Sequence, residues 1–157
     1  MVAGGTAVVL YGYQRYTHDL DLMVYLREDN LDKLFEAVKS VGYMPKVPVT
    51  KEQFKKEENR ERWKKEKGMV VFSFVERNPP FHLIDIFVDE PIKFNLVYQK
   101  RVEIKVDGIT IPLISIDHLL ELKKKAGRTI DLNDILQLEE IKRIQKNENQ
   151  RNKKKKS

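Results

Sequence analysis

Two aspartates stand two residues apart in the run Thr17-His18-Asp19-Leu20-Asp21-Leu22-Met23-Val24-Tyr25-Leu26. The run reads as a strand, and strand side chains alternate between faces. Asp19 and Asp21 therefore share one face, while Leu20, Leu22, Val24 and Leu26 share the other. Two like charges held close together repel, and the pKa of one should rise. A divalent cation removes that repulsion, and Mg²⁺ prefers carboxylate oxygens together with substrate phosphates. A third carboxylate, Asp85, interrupts the apolar run His82-Leu83-Ile84-Asp85-Ile86-Phe87-Val88. That run reads as a strand buried on both faces, where a lone carboxylate is costly unless paired or metal-bound. On neighbouring strands, Asp19, Asp21 and Asp85 would form a three-carboxylate site. Two metal ions there could clamp the attacking and leaving oxygens of a phosphoryl displacement.

The glycines supply a complementary part. Gly4-Gly5 precedes a helix start, where free N–H groups and the helix dipole favour phosphate and where Gly lets the backbone approach closely. Thirteen residues separate Gly5 from Asp19, enough for one helix and a return to the strand. Ile116, Leu119, Leu120 and Lys123 follow i, i+3, i+4, i+7 spacing, so Lys123 continues an apolar helix face. Such a Lys either reaches a triphosphate or packs its stem and leaves its head in water. Arg15 and Arg128 are candidates to bind phosphate or acceptor, although Arg is ordinarily a surface residue. Asp131 and Asp134 fall in the first turn of the last helix, where carboxylates stabilise the dipole. His18 lies beside the aspartate pair, but His82 and His118 share no zinc-ligand spacing with it. Trp63 reads as a packing anchor in preference to a base-stacking platform.

The elements that must hold these residues follow from periodicity and punctuation. A short helix runs from Gly4-Gly5 to Leu10 or Tyr11, with Gly12 as its stop. After the aspartate strand, Asp29 or Asn30 caps a helix with Leu31, Leu34, Phe35 and Val38 on one face, ending near Gly42. Residues 43–50 hold two prolines and read as loop. Lys51 to Lys67 is nearly all charged and reads as an exposed helix or a mobile segment anchored by Phe54 and Trp63. Met69–Val75 and His82–Val88 read as strands around the Asn78-Pro79-Pro80 turn. Val102–Val106 and Ile109–Leu113 flank Asp107-Gly108, a strong hairpin signal. Two helices follow, over Ser115–Lys125 and Asp131–Ile144. The expected architecture is α/β (α+β), a mixed β-sheet flanked by helices with the carboxylates at one edge, plus a C-terminal helical pair.

At 157 residues the chain is long enough for one domain with a real core. Its 41% hydrophobic and 34% charged content fits a globular protein. The absence of cysteine excludes disulfides and thiolate metal sites and favours a cytoplasmic location. No basic leader precedes the first apolar run, and no apolar stretch approaches the roughly 20 residues of a membrane span, so no membrane partner is expected. The net charge is +6, much of it in Arg151-Asn152-Lys153-Lys154-Lys155-Lys156. Residues 1–146 are expected to form the domain, and 147–157 a basic tail in which order fades. Such a tail is either a solvated end or an electrostatic contact with nucleic acid.

Gly4-Gly5-Thr6-Ala7, Gly12, Arg15, Thr17 and Asp19-Leu20-Asp21-Leu22 together resemble the signature of the DNA polymerase β-type nucleotidyltransferase superfamily. The longer pattern is most similar to the AbiEii-like group, the toxin side of abortive-infection toxin–antitoxin pairs. Arg62-Trp63 and Met69-Val70-Val71-Phe72-Ser73-Phe74 also resemble that group. So does Leu122-Lys123-x-x-Ala126-Gly127-Arg128-x-x-Asp131-x-x-Asp134. The resemblance spans about Gly4 to Leu138.

The resemblance implies a nucleotidyltransferase fold for residues 1–146 and a Mg²⁺-dependent transfer of a nucleoside monophosphate from an NTP to a hydroxyl. Asp19 and Asp21 would bind Mg²⁺ on the triphosphate. Asp85 would complete the metal site and help deprotonate the acceptor. Gly4, Gly5, Arg15, Lys123 and Arg128 would bind the nucleotide. The subgroup further implies tRNA or another macromolecular acceptor and a cognate antitoxin partner. A small-molecule acceptor is the alternative, because lincosamide-modifying enzymes carry a similar pattern. A catalytically inactive nucleotide- or RNA-binding module is the other.

Overall fold

The computed structural model describes residues 1–154. The elements in chain order are α1 (Gly4–Leu10), β1 (Asp19–Leu22), α2 (Glu28–Ser40), β2 (Tyr43–Pro45), α3 (Lys51–Lys55), α4 (Glu57–Lys67), β3 (Val71–Glu76) and β4 (Leu83–Phe87). They continue with α5 (Phe94–Gln99), β5 (Val102–Val106), β6 (Ile109–Leu113), α6 (Ile116–Ala126) and α7 (Thr129–Lys154). Strands β1 to β4 form a mixed sheet in the order β1-β4-β3-β2, and β5 and β6 form a hairpin. In that sheet β1 runs parallel to β4, while β3 is antiparallel to both β4 and β2.

Alternation decides which face of the sheet is core. Phe72 and Phe74 of β3 and Ile84 and Ile86 of β4 are buried with Leu31 and Val38 of α2, Phe54 of α3 and Trp63 of α4. The other face presents Asp85, paired in register with Ser73 on one side and Asp21 on the other. Strand β4 is therefore not buried on both faces as expected. Its burial alternates, leaving Leu83, Asp85 and Phe87 half-buried on the aspartate face. A second core joins α1, α6 and α7 through Ala7, Val8, Leu119, Leu120 and Leu138.

Met1 to Ala3 link the two sheets. Val2 bridges Leu22 of β1 and Leu113 of β6, with bonds from Val2 N–H to the Pro112 carbonyl and from Ile114 N–H to the Val2 carbonyl. Ala3 N–H donates to the Asp21 carbonyl at 2.9 Å, so the turn into Gly4 is tied directly to the aspartate strand.

Several elements depart from the expectation. β1 ends at Leu22, well before Leu26. The supposed loop 43–50 contains β2, an edge strand that tolerates Pro45 because one side of an edge needs no N–H donor. The charged segment 51–67 is two helices, with a capping box at Thr50 and Gln53. They are held by buried Phe54 and Trp63 and by Arg60, which donates to the Phe54, Lys55 and Val88 carbonyls. The last helix passes Ile144 and the expected onset of the tail at 147, continuing to Lys154; residues 155–157 of the tail lie outside the described residues. No helix among the described residues is long and apolar enough to cross a membrane.

Candidate active site

The sheet register brings the aspartates together. Asp21 on β1 stands directly beside Asp85 on β4 across the parallel pairing, and Asp19 lies two residues before Asp21 on the same face. Asp19 Oδ1 and Asp85 Oδ1 are buried without any hydrogen-bond partner. Leaving buried carboxylate oxygens unpaired is costly, and a hard cation is the natural partner for oxygen donors. The residues therefore fit a divalent metal. Among the described residues, no three acidic or imidazole groups already converge as a ligand cluster. Asp21 is drawn instead toward the glycine turn, where its Oδ2 accepts from Gly5 N–H at 2.9 Å.

The electrostatics match this arrangement. Burial pushes the Asp21 carboxyl above the usual range, opposed by the Gly5 hydrogen bond and reinforced by the charges of Asp85 and Asp19. Burial also raises Asp85, with Ser73 lowering it and Asp19 raising it further.

The glycine turn is shaped around these side chains. Gly4 has φ +54°, and a Cβ there would overlap Asp21 Oδ2. A Cβ on Gly5 would lie 2.6 Å from both the Arg15 guanidinium and the Thr17 hydroxyl. Thr6 of α1 donates its hydroxyl to the Asp19 carbonyl at 3.0 Å, fixing the helix start against β1.

The cations are held by carboxylates that the sequence reading assigned to the helix dipole. Lys123 is only 3% exposed, so its head is not in water. Its Nζ lies 2.9 Å from Asp131 Oδ1 and 2.7 Å from Asp134 Oδ2. Arg15 Nη2 donates to Asp134 Oδ2 at 3.2 Å, while its Nε approaches Asp134 Oδ1 at 2.9 Å as a charge contact without hydrogen-bond alignment. Arg128 Nε donates to Asp131 Oδ2 at 2.8 Å, and this side chain is 68% exposed. Burial alone would raise Asp131, but hydrogen bonds from Arg128 and Lys123 outweigh it and hold the carboxyl below its ordinary value. Three cations thus share two fully buried carboxylates, an arrangement with one surplus positive charge. Only tertiary packing exposes this role of Asp131 and Asp134, because Lys123 and Arg15 lie on other segments of the chain.

A cleft of about 770 Å³ takes in some of these parts, within the usual range for small-ligand sites. Gly4, Asp21, Lys123 and Arg128 line one side, and Phe87 and Leu122 belong to its apolar wall. Arg15, Asp19 and Asp85 are not among its lining residues. His18 is also apart from it, exposed and hydrogen-bonded to the Tyr16 hydroxyl at 2.8 Å. Trp63 is buried in the core behind the sheet, as a packing anchor.

No protein-family model matches the sequence, and no curated protein matches it. Solved structures do match. One is an antigenic nucleotidyltransferase-like protein from Paracoccidioides brasiliensis, at TM-score 0.55 and 16% identity, over 87% of this chain and 65% of that one. This chain therefore spans about two thirds of that protein's length. Another is the lincosamide antibiotic adenylyltransferase LnuA in its lincomycin-bound form, at TM-score 0.55 and 18% identity, over 89% of this chain and 85% of that one. The mixed sheet, its flanking helices and these similarities together give the chain the nucleotidyltransferase fold.

Proposed function

We propose that this protein transfers a nucleoside monophosphate from an NTP to a hydroxyl group of a macromolecular acceptor, in a Mg²⁺-dependent reaction. The observation that carries this reading is the in-register pairing of Asp21 with Asp85, with Asp19 alongside and two buried carboxylate oxygens uncompensated. Asp19, Asp21 and Asp85 would hold the metal, which when bound supplies charge neutralisation for the triphosphate and the departing pyrophosphate.

The chain's own residues do the rest. The Gly5 N–H holds the Asp21 carboxylate, and the missing Cβ of Gly4 leaves room for it. Lys123 and Arg128 face the cleft and offset the triphosphate charge, while Asp131 and Asp134 fix where those cations can sit. Arg15, pinned beneath Gly5, supports the turn. The acceptor oxygen forms a bond to the α-phosphorus as the bond from that phosphorus to the bridging oxygen breaks and pyrophosphate leaves. Asp85 takes the acceptor proton as general base. Positioning and charge stabilisation supply most of the rate.

The likeness to the AbiEii-like group supports RNA, including tRNA, as the acceptor and an antitoxin as a protein partner. A second reading, a small-molecule acceptor, draws support from the apolar wall formed by Phe87, Leu119 and Leu122 and from the fold likeness to a lincosamide adenylyltransferase. Incubation with each α-labelled NTP, Mg²⁺, and either total tRNA or a lincosamide separates the two. Label on RNA supports the first reading and label on the drug the second. No transfer to either acceptor with any NTP refutes both.

A further inference from the structure

The net positive charge of this chain comes from one segment. Residues 142–157 hold eight of the 30 Lys and Arg and one of the 24 Asp and Glu, a net charge of +7, which leaves residues 1–141 at −1. The structure separates the same two parts. Among the residues of α7 whose burial is described, Leu138 is the last buried one and Ile141 the last that packs on the core. Beyond it the helix continues to Lys154, about 20 Å at 1.5 Å per residue. From Lys142 to Arg151 every residue whose burial is described is exposed.

Such an arm gains nothing from the core. Helices of this length are marginal in water without tertiary contacts, and like charges three or four residues apart, as at Lys142, Arg143 and Lys146, oppose helix formation. Lys142 and Arg143 pair with Asp117 and Glu140. Lys146, Arg151 and Lys153 to Lys156 add six further cations to the sequence of this segment. A surface bearing dense negative charge offsets their repulsion. Ile144 is the one apolar side chain of the arm, which therefore has no apolar face to insert into a lipid interface. Asn147, Asn149, Gln150 and Asn152 among the cations add groups that hydrogen-bond to sugars and base edges.

We propose that the C-terminal part of α7 is an RNA-docking arm, which grips the phosphate backbone of the acceptor while the neutral body carries the catalytic cleft. This inference rests on the macromolecular-acceptor reading above, yet its test needs no catalysis. The probe is a fluorescein-labelled 24-nucleotide single-stranded RNA, titrated with full-length protein from 50 to 200 mM salt without NTP. With six cations engaging phosphates, the slope of log K against log salt is about −4 for a single strand, a loss of about 250-fold over that range. The variant carrying Lys146→Gln, Arg151→Gln and Lys153→Gln through Lys156→Gln should reduce the slope to about −1 or shallower, with its thermal midpoint and Mg²⁺–NTP binding unchanged. Asp19→Ala should retain the full slope.

Unchanged RNA binding in the six-fold variant overturns the proposal. So does wild-type binding to phosphatidylserine vesicles in preference to RNA, or failure to bind RNA at 50 mM salt. If the arm fails while nucleotidyl transfer to a small acceptor stands, only the docking inference falls. If transfer fails while the salt-dependent RNA binding stands, only the catalytic reading falls.

Discussion

Asp134→Ala tests whether the buried carboxylates hold the cations of the site. Asp134 has no exposed surface and meets Lys123 Nζ at 2.7 Å and Arg15 Nε at 2.9 Å. Its removal leaves Lys123, itself 3% exposed, with Asp131 as its remaining carboxylate and takes from Arg15 the carboxylate it meets, although Arg15 retains some access to water. Breaking a buried ion pair from one side costs about 3–5 kcal/mol. With a urea m-value of about 2 kcal/mol/M, the unfolding midpoint falls by roughly 2 M at unchanged m. Adding Lys123→Met to Asp134→Ala removes one of the cations left in excess over Asp131 and should recover about half of the loss. Urea denaturation followed by circular dichroism reads both variants. A midpoint change below about 0.5 M for Asp134→Ala, or a double variant equal to the sum of the two singles, refutes the network.

Gly4→Ala forces a left-handed backbone on a residue with a Cβ and drives that Cβ into Asp21 Oδ2. The backbone term alone is about 1–2 kcal/mol, and calorimetry should find Mg²⁺–NTP binding lost even where the variant stays folded. The raised carboxyls of Asp21 and Asp85 fix a pH dependence. In metal-free protein their contribution to stability is full below the unfolded carboxylate pKa of about 4 and is lost as pH rises through the higher folded values. Mg²⁺ binds the ionised forms, so its upward shift of the thermal midpoint should grow from pH 5 to pH 8 and shrink in Asp85→Asn; a shift independent of pH contradicts the assignment. Asp131 titrates in the opposite sense. Its lowered pKa contributes stability above the ordinary carboxylate value, lost as pH falls through the folded one, so Asp131→Asn should flatten acid unfolding below pH 4.

Strong local signals carried the sequence reading where they existed. The Asp107-Gly108 turn has φ values of +50° and +80°, the geometry its two residues favour. The i, i+3, i+4, i+7 face of α6 is buried as spaced, that of α2 is buried at Leu31 and Val38 and half-buried at Leu34 and Phe35, and the alternation of Asp19 and Asp21 places both on one face of β1. The losses have physical causes. β2 is three residues long with a proline, and α5 is six residues with a single buried side chain, so neither spans a period that a sequence can display. In α3 and α4 the anchors Phe54 and Trp63 stand out from the charged surface, but the burial of Arg60 depends on carbonyls of Phe54, Lys55 and Val88 that no local pattern reveals. Lys123 was legible as inward-facing, but its carboxylate partners lie on α7, and no pattern within α6 reveals them.

A crystal structure of the protein with a non-hydrolysable NTP analogue and Mn²⁺ tests the central claim most directly, because anomalous scattering locates the metal. The account predicts a peak coordinated by Asp19, Asp21 and Asp85, with the triphosphate against Gly4-Gly5 and within reach of Lys123 and Arg128. A nucleotide bound away from the three aspartates, or a metal that touches none of them, would contradict it.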